Sequence, residues 1–192
     1  MTGQHQPILT IGYGNRTIAD FLRLLQKHGV RFVGDVRTTP YSRFSPDFSK
    51  DALVGHLHRI GIQYVYMGDS LGGNPDDSMV RQGGRTSEKH YVLYAKVKKL
   101  PAFQVGIERL RKAWSQDLGL ALMCSEAKPE ACHRTRLIGD TLLETQIDIL
   151  HIDEHGDLRS QNDIMLRLDQ GQQLLPSMGA SPRALKSSKA FG

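Results

Sequence analysis

The sequence predicts an α/β fold in three layers, Rossmann-like, with a mostly parallel sheet of about five strands and helices on both faces. Three observations point there. Short apolar or β-branched runs alternate with helix-period segments, and those segments are long enough to act as crossovers between parallel strands. The longest apolar strand candidate, 118–124, runs out through a loop into Cys132, His133 and Arg134, expected in the first turns of a helix.

Taken in order, residues 8–11 form a strand that stops at Gly12, and Thr17-Ile18-Ala19-Asp20 has the form of a capping box. The helix that follows carries Phe21, Leu22, Leu25 and His28 along one side and ends at Gly29. Residues 31–36 make a second strand. After an irregular stretch, a helix capped near Ser49 places Leu53, Val54, Leu57 and Ile60 at core spacing, and 62–67 supply a third strand. The pattern then dissolves over 68–87 into Gly-, Asp- and Asn-rich sequence, which reads as a lid or a tolerated insertion. A helix over 88–100 is broken by Pro101, and the next one repeats Phe103, Ile107, Leu110 and Trp114 as a core stripe. The strand to Cys124, a helix over 129–144, a fifth strand over 147–152 and a turn at Asp153-Glu154-His155-Gly156 complete the domain. This reading puts one domain at 1–168 and a flexible basic tail at 169–192.

Composition bounds the function. The 192 residues suffice for one substantial core. No apolar run approaches a membrane span and the first residues lack the pattern of a signal peptide, so a cytoplasmic protein without membrane contact is expected. Two cysteines do not make a secreted disulfide framework. A formal charge of +5 is compatible with an anionic small molecule or a nucleic acid as partner. No cofactor is specified.

Three loops follow predicted strands and, if the strands are parallel, open at one sheet edge. The first, Gly12-Tyr13-Gly14-Asn15-Arg16, lets backbone approach a ligand that Asn15 could contact, but it lacks the third glycine of a dinucleotide fingerprint. The second runs from Asp35 to Arg43. Arg37 and Arg43 could grip a phosphate with help from Ser42, and Tyr41 could stack on an attached ring. Alternatively, Asp35 simply pairs with Arg37. The third holds Cys124, Glu126, Cys132, His133 and Arg134. Cys132 near a helix start, with histidine and arginine beside it, is a candidate nucleophile, while Cys124 at a strand end reads as a small hydrophobe. Zinc is disfavoured: the spacing of Cys124, Cys132 and His133 matches no common ribbon or finger, and a fourth ligand would have to come from His56, His58 or His151.

The order of these motifs is itself informative. Thr10-Ile11-Gly12-Tyr13-Gly14, Asp35-Val36-Arg37 with Pro40 and Ser42, Leu71-Gly72-Gly73, and Met123-Cys124-Ser125-Glu126 with Cys132-His133-Arg134 resemble the bacterial and archaeal domain-of-unknown-function family four-eight-eight over 8–152. The resemblance implies a single α/β domain and no particular activity. Two positions depart from the family pattern: Lys128 stands where an Asp commonly precedes the proline, and Tyr13 where a His is frequent. The Asp-Val-Arg turn is also similar to that of rhodanese-like domains, but Cys124 and Arg134 lie too far apart for their compact cysteine loop.

The resulting expectation is a strand-end anion site in an enzyme acting on a nucleotide or nucleic-acid component. Arg37, Arg43 and Arg134 would hold the anion, Glu126 or His133 would move a proton, and Cys132 would be the nucleophile. The rival is a non-catalytic nucleic-acid-binding module using the basic balance and the tail residues Arg183, Lys186 and Lys189. A third reading is structural, with Arg134 and Glu126 paired to hold the loop.

Overall fold

The computed structural model describes residues 5–75, 81–82 and 91–173. Its first half follows the predicted alternation: β1 (Ile8–Gly12), α1 (Ile18–Lys27), β2 (Phe32–Asp35), α2 (Lys50–Arg59) and β3 (Gln63–Tyr66). Thr17 caps α1 as its sequence suggests, accepting from the Asp20 N–H at 3.1 Å and donating its hydroxyl to the Asp20 carboxylate. Ser49 stands at the N-cap of α2, but its hydroxyl accepts from the Ser42 N–H at 3.1 Å instead, tying the preceding loop to the helix.

The middle of the chain departs from expectation. A one-turn helix α3 (Gly68–Leu71) opens the irregular stretch, and the two-residue strands β4 (Arg81–Gln82) and β5 (Tyr91–Val92) pair antiparallel. Residues 76–80 and 83–87 of the suggested lid lie outside the described residues. In place of a helix over 88–100 there are β5 and the short α4 (Tyr94–Val97), and Pro101 then starts α5 (Pro101–Ser115). Phe103, Ile107 and Leu110 of its stripe are buried.

β6 (Leu120–Cys124) is followed by a second departure. The helix expected over 129–144 is a 3₁₀ turn at Pro129–Ala131, an extended Cys132, a π-helical stretch at Arg134–Gly139 and α6 (Asp140–Glu144). Cys132 therefore stands between two helical pieces, not in a first helical turn. Its carbonyl accepts from both Thr135 and Arg136 at 3.2 Å, the crowding of a wound turn of the kind often found at functional sites. The described residues end with β7 (Ile149–Ile152), β8 (Leu158–Ser160) and α7 (Gln161–Gln173).

The sheet has six strands, in the order β3-β2-β6-β1-β7-β8. Five are parallel and β8 runs antiparallel against β7, so the expected count of about five missed the edge strand. β6 lies between β1 and β2, and strand order reverses there. Alternate residues of β6 serve different cores: Leu120, Leu122 and Cys124 join α3–α6, whereas Ala121 and Met123 join α1 and α2. The two clusters thus pack on opposite faces of the sheet. Because neighbouring parallel strands end at one edge, the loops after β1, β6 and β2 lie side by side. No helix among the described residues is long and apolar enough to cross a membrane.

Candidate functional site

Backbone hydrogen bonds carry the pairing of β6 past its end. Tyr13 and Gly14 donate to the carbonyls of Cys124 and Ser125, and Val36 donates to that of Met123. The three loops enclose a cavity of about 320 Å³ lined by Tyr13, Arg37, Tyr41, Glu126 and the Cys124, Cys132 and His133 side chains.

Arg37 is built in. Its Nε and Nη2 donate to both Asp35 carboxylate oxygens at 2.9 and 2.6 Å, its backbone N–H donates to the same group, and the Tyr64 hydroxyl completes the shell at 2.8 Å. The side chain is 5% exposed and its guanidinium lies 5.4 Å from the centre of the Tyr13 ring. Among the described residues Nη1 is the guanidinium nitrogen without a hydrogen-bond partner. The pairing of Asp35 with Arg37 is thus the arrangement observed, and it leaves one nitrogen of the guanidinium unpaired there.

The sulfur atoms converge on one imidazole. His133 Nδ1 lies 3.8 Å from Cys124 Sγ and 3.7 Å from Cys132 Sγ, while Nε2 lies 3.1 Å from the Val36 carbonyl oxygen. A carbonyl only accepts, so the proton is on Nε2 and Nδ1 is the nitrogen that faces the thiols. Gly73 holds the other side of the ring: a Cβ there would lie 2.6 Å from His133 Cγ. Both cysteines are free and buried. A hydrogen bond from Cys132 holds the Cys124 thiol well below its ordinary pKa; burial opposes this, and His133 and Arg134 add to the lowering. Burial and the Cys124 sulfur push Cys132 up. The thiol favoured for ionisation is thus Cys124, the residue read from sequence as a packing group.

Arg134 is elsewhere than expected. It is fully buried, it does not line the cavity, and its Nη2 donates to the backbone carbonyls of Glu126 at 2.6 Å and Ala127 at 3.1 Å. It braces the loop through main chain, not through the Glu126 carboxylate. Gly12 makes this possible, since a Cβ there would overlap the Glu126 carbonyl. Its Nε and Nη1 have no partner, and it forms no ion pair among the described residues.

Of the remaining candidates, Tyr41 lines the cavity and is 67% exposed. Asn15 and Arg43 are exposed and outside the lining; Arg43 sits 5.8 Å over the ring of Phe44. Ser42 is bound to Ser49 and also stands outside it. His56 pairs with Asp47, and His151 is held by Thr10 and Gln161 at 2.7 and 2.6 Å, so neither joins the cysteines. Gly73 was visible only as part of the Leu71-Gly72-Gly73 motif and Tyr64 not at all, because each acts through a partner on another element.

Fold and site together define an α/β protein whose strand-end crevice sets a Cys–Cys–His cluster beside a buried arginine. The chain belongs to the family described as domain of unknown function DUF488, whose model matches residues 17–140. That match contains Arg37, Cys124, Cys132 and His133 and leaves out β1 and its loop. No curated protein and no solved structure matches the chain.

Proposed function

We propose that the cavity is the substrate site of an enzyme acting on a phosphate-bearing, nucleotide-like substrate in the reducing cytoplasm. The observation that carries this reading is Arg37: a buried guanidinium fixed by Asp35 in the wall of a cavity of about 320 Å³, the lower end of small-molecule sites, with Nη1 unpaired among the described residues. We take the sheet as the centre of a three-layer, Rossmann-like fold, in which ligands gather at the carboxyl ends of strands where their order reverses. Arg37 would hold the anionic group, Tyr41 would stack on an attached ring, and Glu126 or His133 would move a proton at the end where Cys124 and Cys132 lie.

The test is a thermal-shift series with phosphate, nucleoside mono- and triphosphates and short oligonucleotides, run on wild type and Arg37→Ala. A ligand at a hundred times its Kd adds about 2.7 kcal/mol of stability. A mononucleotide that stabilises wild type and not Arg37→Ala supports the reading. Equal stabilisation of both proteins, or none of either, removes it.

A nucleic-acid-binding module is the second reading. Its observation is the exposed trio Tyr41, Arg43 and Phe44, the last 93% exposed, which offers stacking faces next to a cation. That reading predicts stabilisation by oligonucleotides only, with steep salt dependence and indifference to His133→Ala.

A further inference from the structure

We infer that Cys124, Cys132 and His133 form a binding site for a thiophilic divalent cation, zinc foremost, with one coordination position open to the strand-end cavity. The ground is donor geometry. Tetrahedral zinc with sulfur at about 2.3 Å and imidazole nitrogen at about 2.0 Å sets each sulfur about 3.5 Å from the nitrogen and the two sulfurs about 3.8 Å apart. The two sulfur–nitrogen separations here are 3.8 and 3.7 Å, and all three donor atoms lie within 4.8 Å of one another. Binding would draw each sulfur in by a few tenths of an ångström towards the nitrogen and the sulfurs towards each other by up to about 1 Å, within reach of a side-chain rotation.

The donors are also aimed. Nε2 of His133 is occupied by the Val36 carbonyl, which leaves Nδ1 as the ligating nitrogen; a histidine ligand whose second nitrogen donates to a fixed acceptor is the usual support of a metal-bound imidazole. Gly73 packs against the ring on the other side. The low overall match to known spacings is explained by the fold: Cys124 ends a strand, Cys132 is an extended residue between two helical pieces, and only the sheet brings them together. The expectation against zinc rested on spacing and on the want of a nearby fourth ligand; the convergence of the three atoms removes the first ground, and the second becomes the open position.

Charge balance agrees. Arg134 is fully buried and forms no ion pair among the described residues, so a nearby pair of thiolates neutralising a dication leaves the interior no more positive than the guanidinium already makes it. Soft thiolates with imidazole select zinc, cobalt as its probe, or cuprous copper over magnesium and calcium. No other His, Cys, Asp or Glu among the described residues joins the group, and three protein donors with a free position is the count of catalytic, not closed structural, zinc sites. All three donors line the cavity that Arg37 and Glu126 share. The inference rests on the reaction-site reading only for what the open position would do; the ion itself stands on the donor geometry.

The experiment uses the full chain, reduced and stripped with a chelator, then titrated with Co²⁺ and back-titrated with Zn²⁺. The expected result is one equivalent of Co²⁺ with the intense visible bands of a tetrahedral ion and a thiolate charge-transfer band, all bleached by Zn²⁺. Cys132→Ser should lose about half of the charge-transfer intensity, having one thiolate of two. His133→Ala should weaken binding at least tenfold. Arg37→Ala should keep the cobalt spectrum while losing any nucleotide-induced thermal shift, so that failure of the anion reading and failure of the metal reading are told apart. If the cysteine variants do not fold, zinc competition on wild type against a chromophoric chelator decides. A wild-type protein that takes up no stoichiometric Co²⁺ or Zn²⁺, or variants with an unchanged spectrum, overturns the inference.

Discussion

His133 Nε2 stands 3.1 Å from the carbonyl oxygen of Val36, the residue between Asp35 and Arg37. One tripeptide at the end of β2 therefore supplies the cation, its counterion and the acceptor that sets the imidazole tautomer. The imidazole is thus coupled to the main chain of this tripeptide at Val36, whereas the Arg37 side chain can be removed without removing its acceptor.

Gly73→Ala tests that coupling from the outside. The added methyl would stand 2.6–2.7 Å from His133 Cγ and Nδ1, so the ring or the loop must move. The expected cost is about 1–3 kcal/mol in urea unfolding, with a change in the rate at which Cys124 is alkylated. Unchanged stability and unchanged alkylation would show that Gly73 does not seat the ring.

Asp35→Ala should be among the most damaging single changes, because it strands a buried guanidinium and the Tyr64 hydroxyl together. Breaking a buried pair from one side costs about 3–5 kcal/mol. The double variant Asp35→Leu, Arg37→Met should recover much of that loss while abolishing anion binding. Chemical denaturation of the three proteins separates the outcomes, and a loss under about 1 kcal/mol for Asp35→Ala would contradict the description of Arg37 as desolvated.

Arg134→Lys is not conservative here. Lysine lacks the planar fork that meets the Glu126 and Ala127 carbonyls from one nitrogen, and it leaves those acceptors short of a donor. A loss of about 1–3 kcal/mol is expected, together with loosening of the loop that carries Cys124 and Glu126, read by hydrogen exchange at 125–128. If stability falls and exchange in that loop stays slow, the brace lies elsewhere.

His151 gives the protein an acid limit. Burial, against the hydrogen bond to Gln161 and with Arg134 adding, lowers its pKa from 6.5 to about 4. Between those values the unfolded chain holds more protons than the folded one, so stability falls as pH drops from 6.5 towards 4, by up to about 3 kcal/mol. Above pH 6.5 this contribution is complete and flat. His151→Asn should be less stable at neutral pH and show a shallower slope over that window; an equal slope in both proteins would assign it to other groups.

Much of this architecture was readable locally. β1, β2, β3, β6 and β7 are apolar runs bounded by glycine or turn residues, and Thr17 announces α1 through a bond to its own neighbour three residues on. What escaped was decided at a distance. Leu158-Arg159-Ser160 has no strand signature of its own and becomes β8 by pairing with β7. Cys132 is extended because its turn is shaped by packing, and no period marks that. Cys124 read as filler and Arg134 as a ligand, since which of them faces the crevice depends on β6 entering between β1 and β2. Local sequence carries residue types and element ends; strand order carries the convergence.

That strand order also sets a timetable for synthesis. β1 is hydrogen-bonded only to β6 and β7, and β2 only to β3 and β6, so the two earliest strands share no partner until Leu120–Cys124 has emerged from the ribosome. The strand pairings that join them both run through β6, far along the chain, which makes the topology of the sheet non-local. A nascent chain halted before Leu120 would hold Phe32–Asp35 against β3 with its other edge open and leave Ile8–Gly12 with no sheet partner, and is the form that chaperones and proteases would meet.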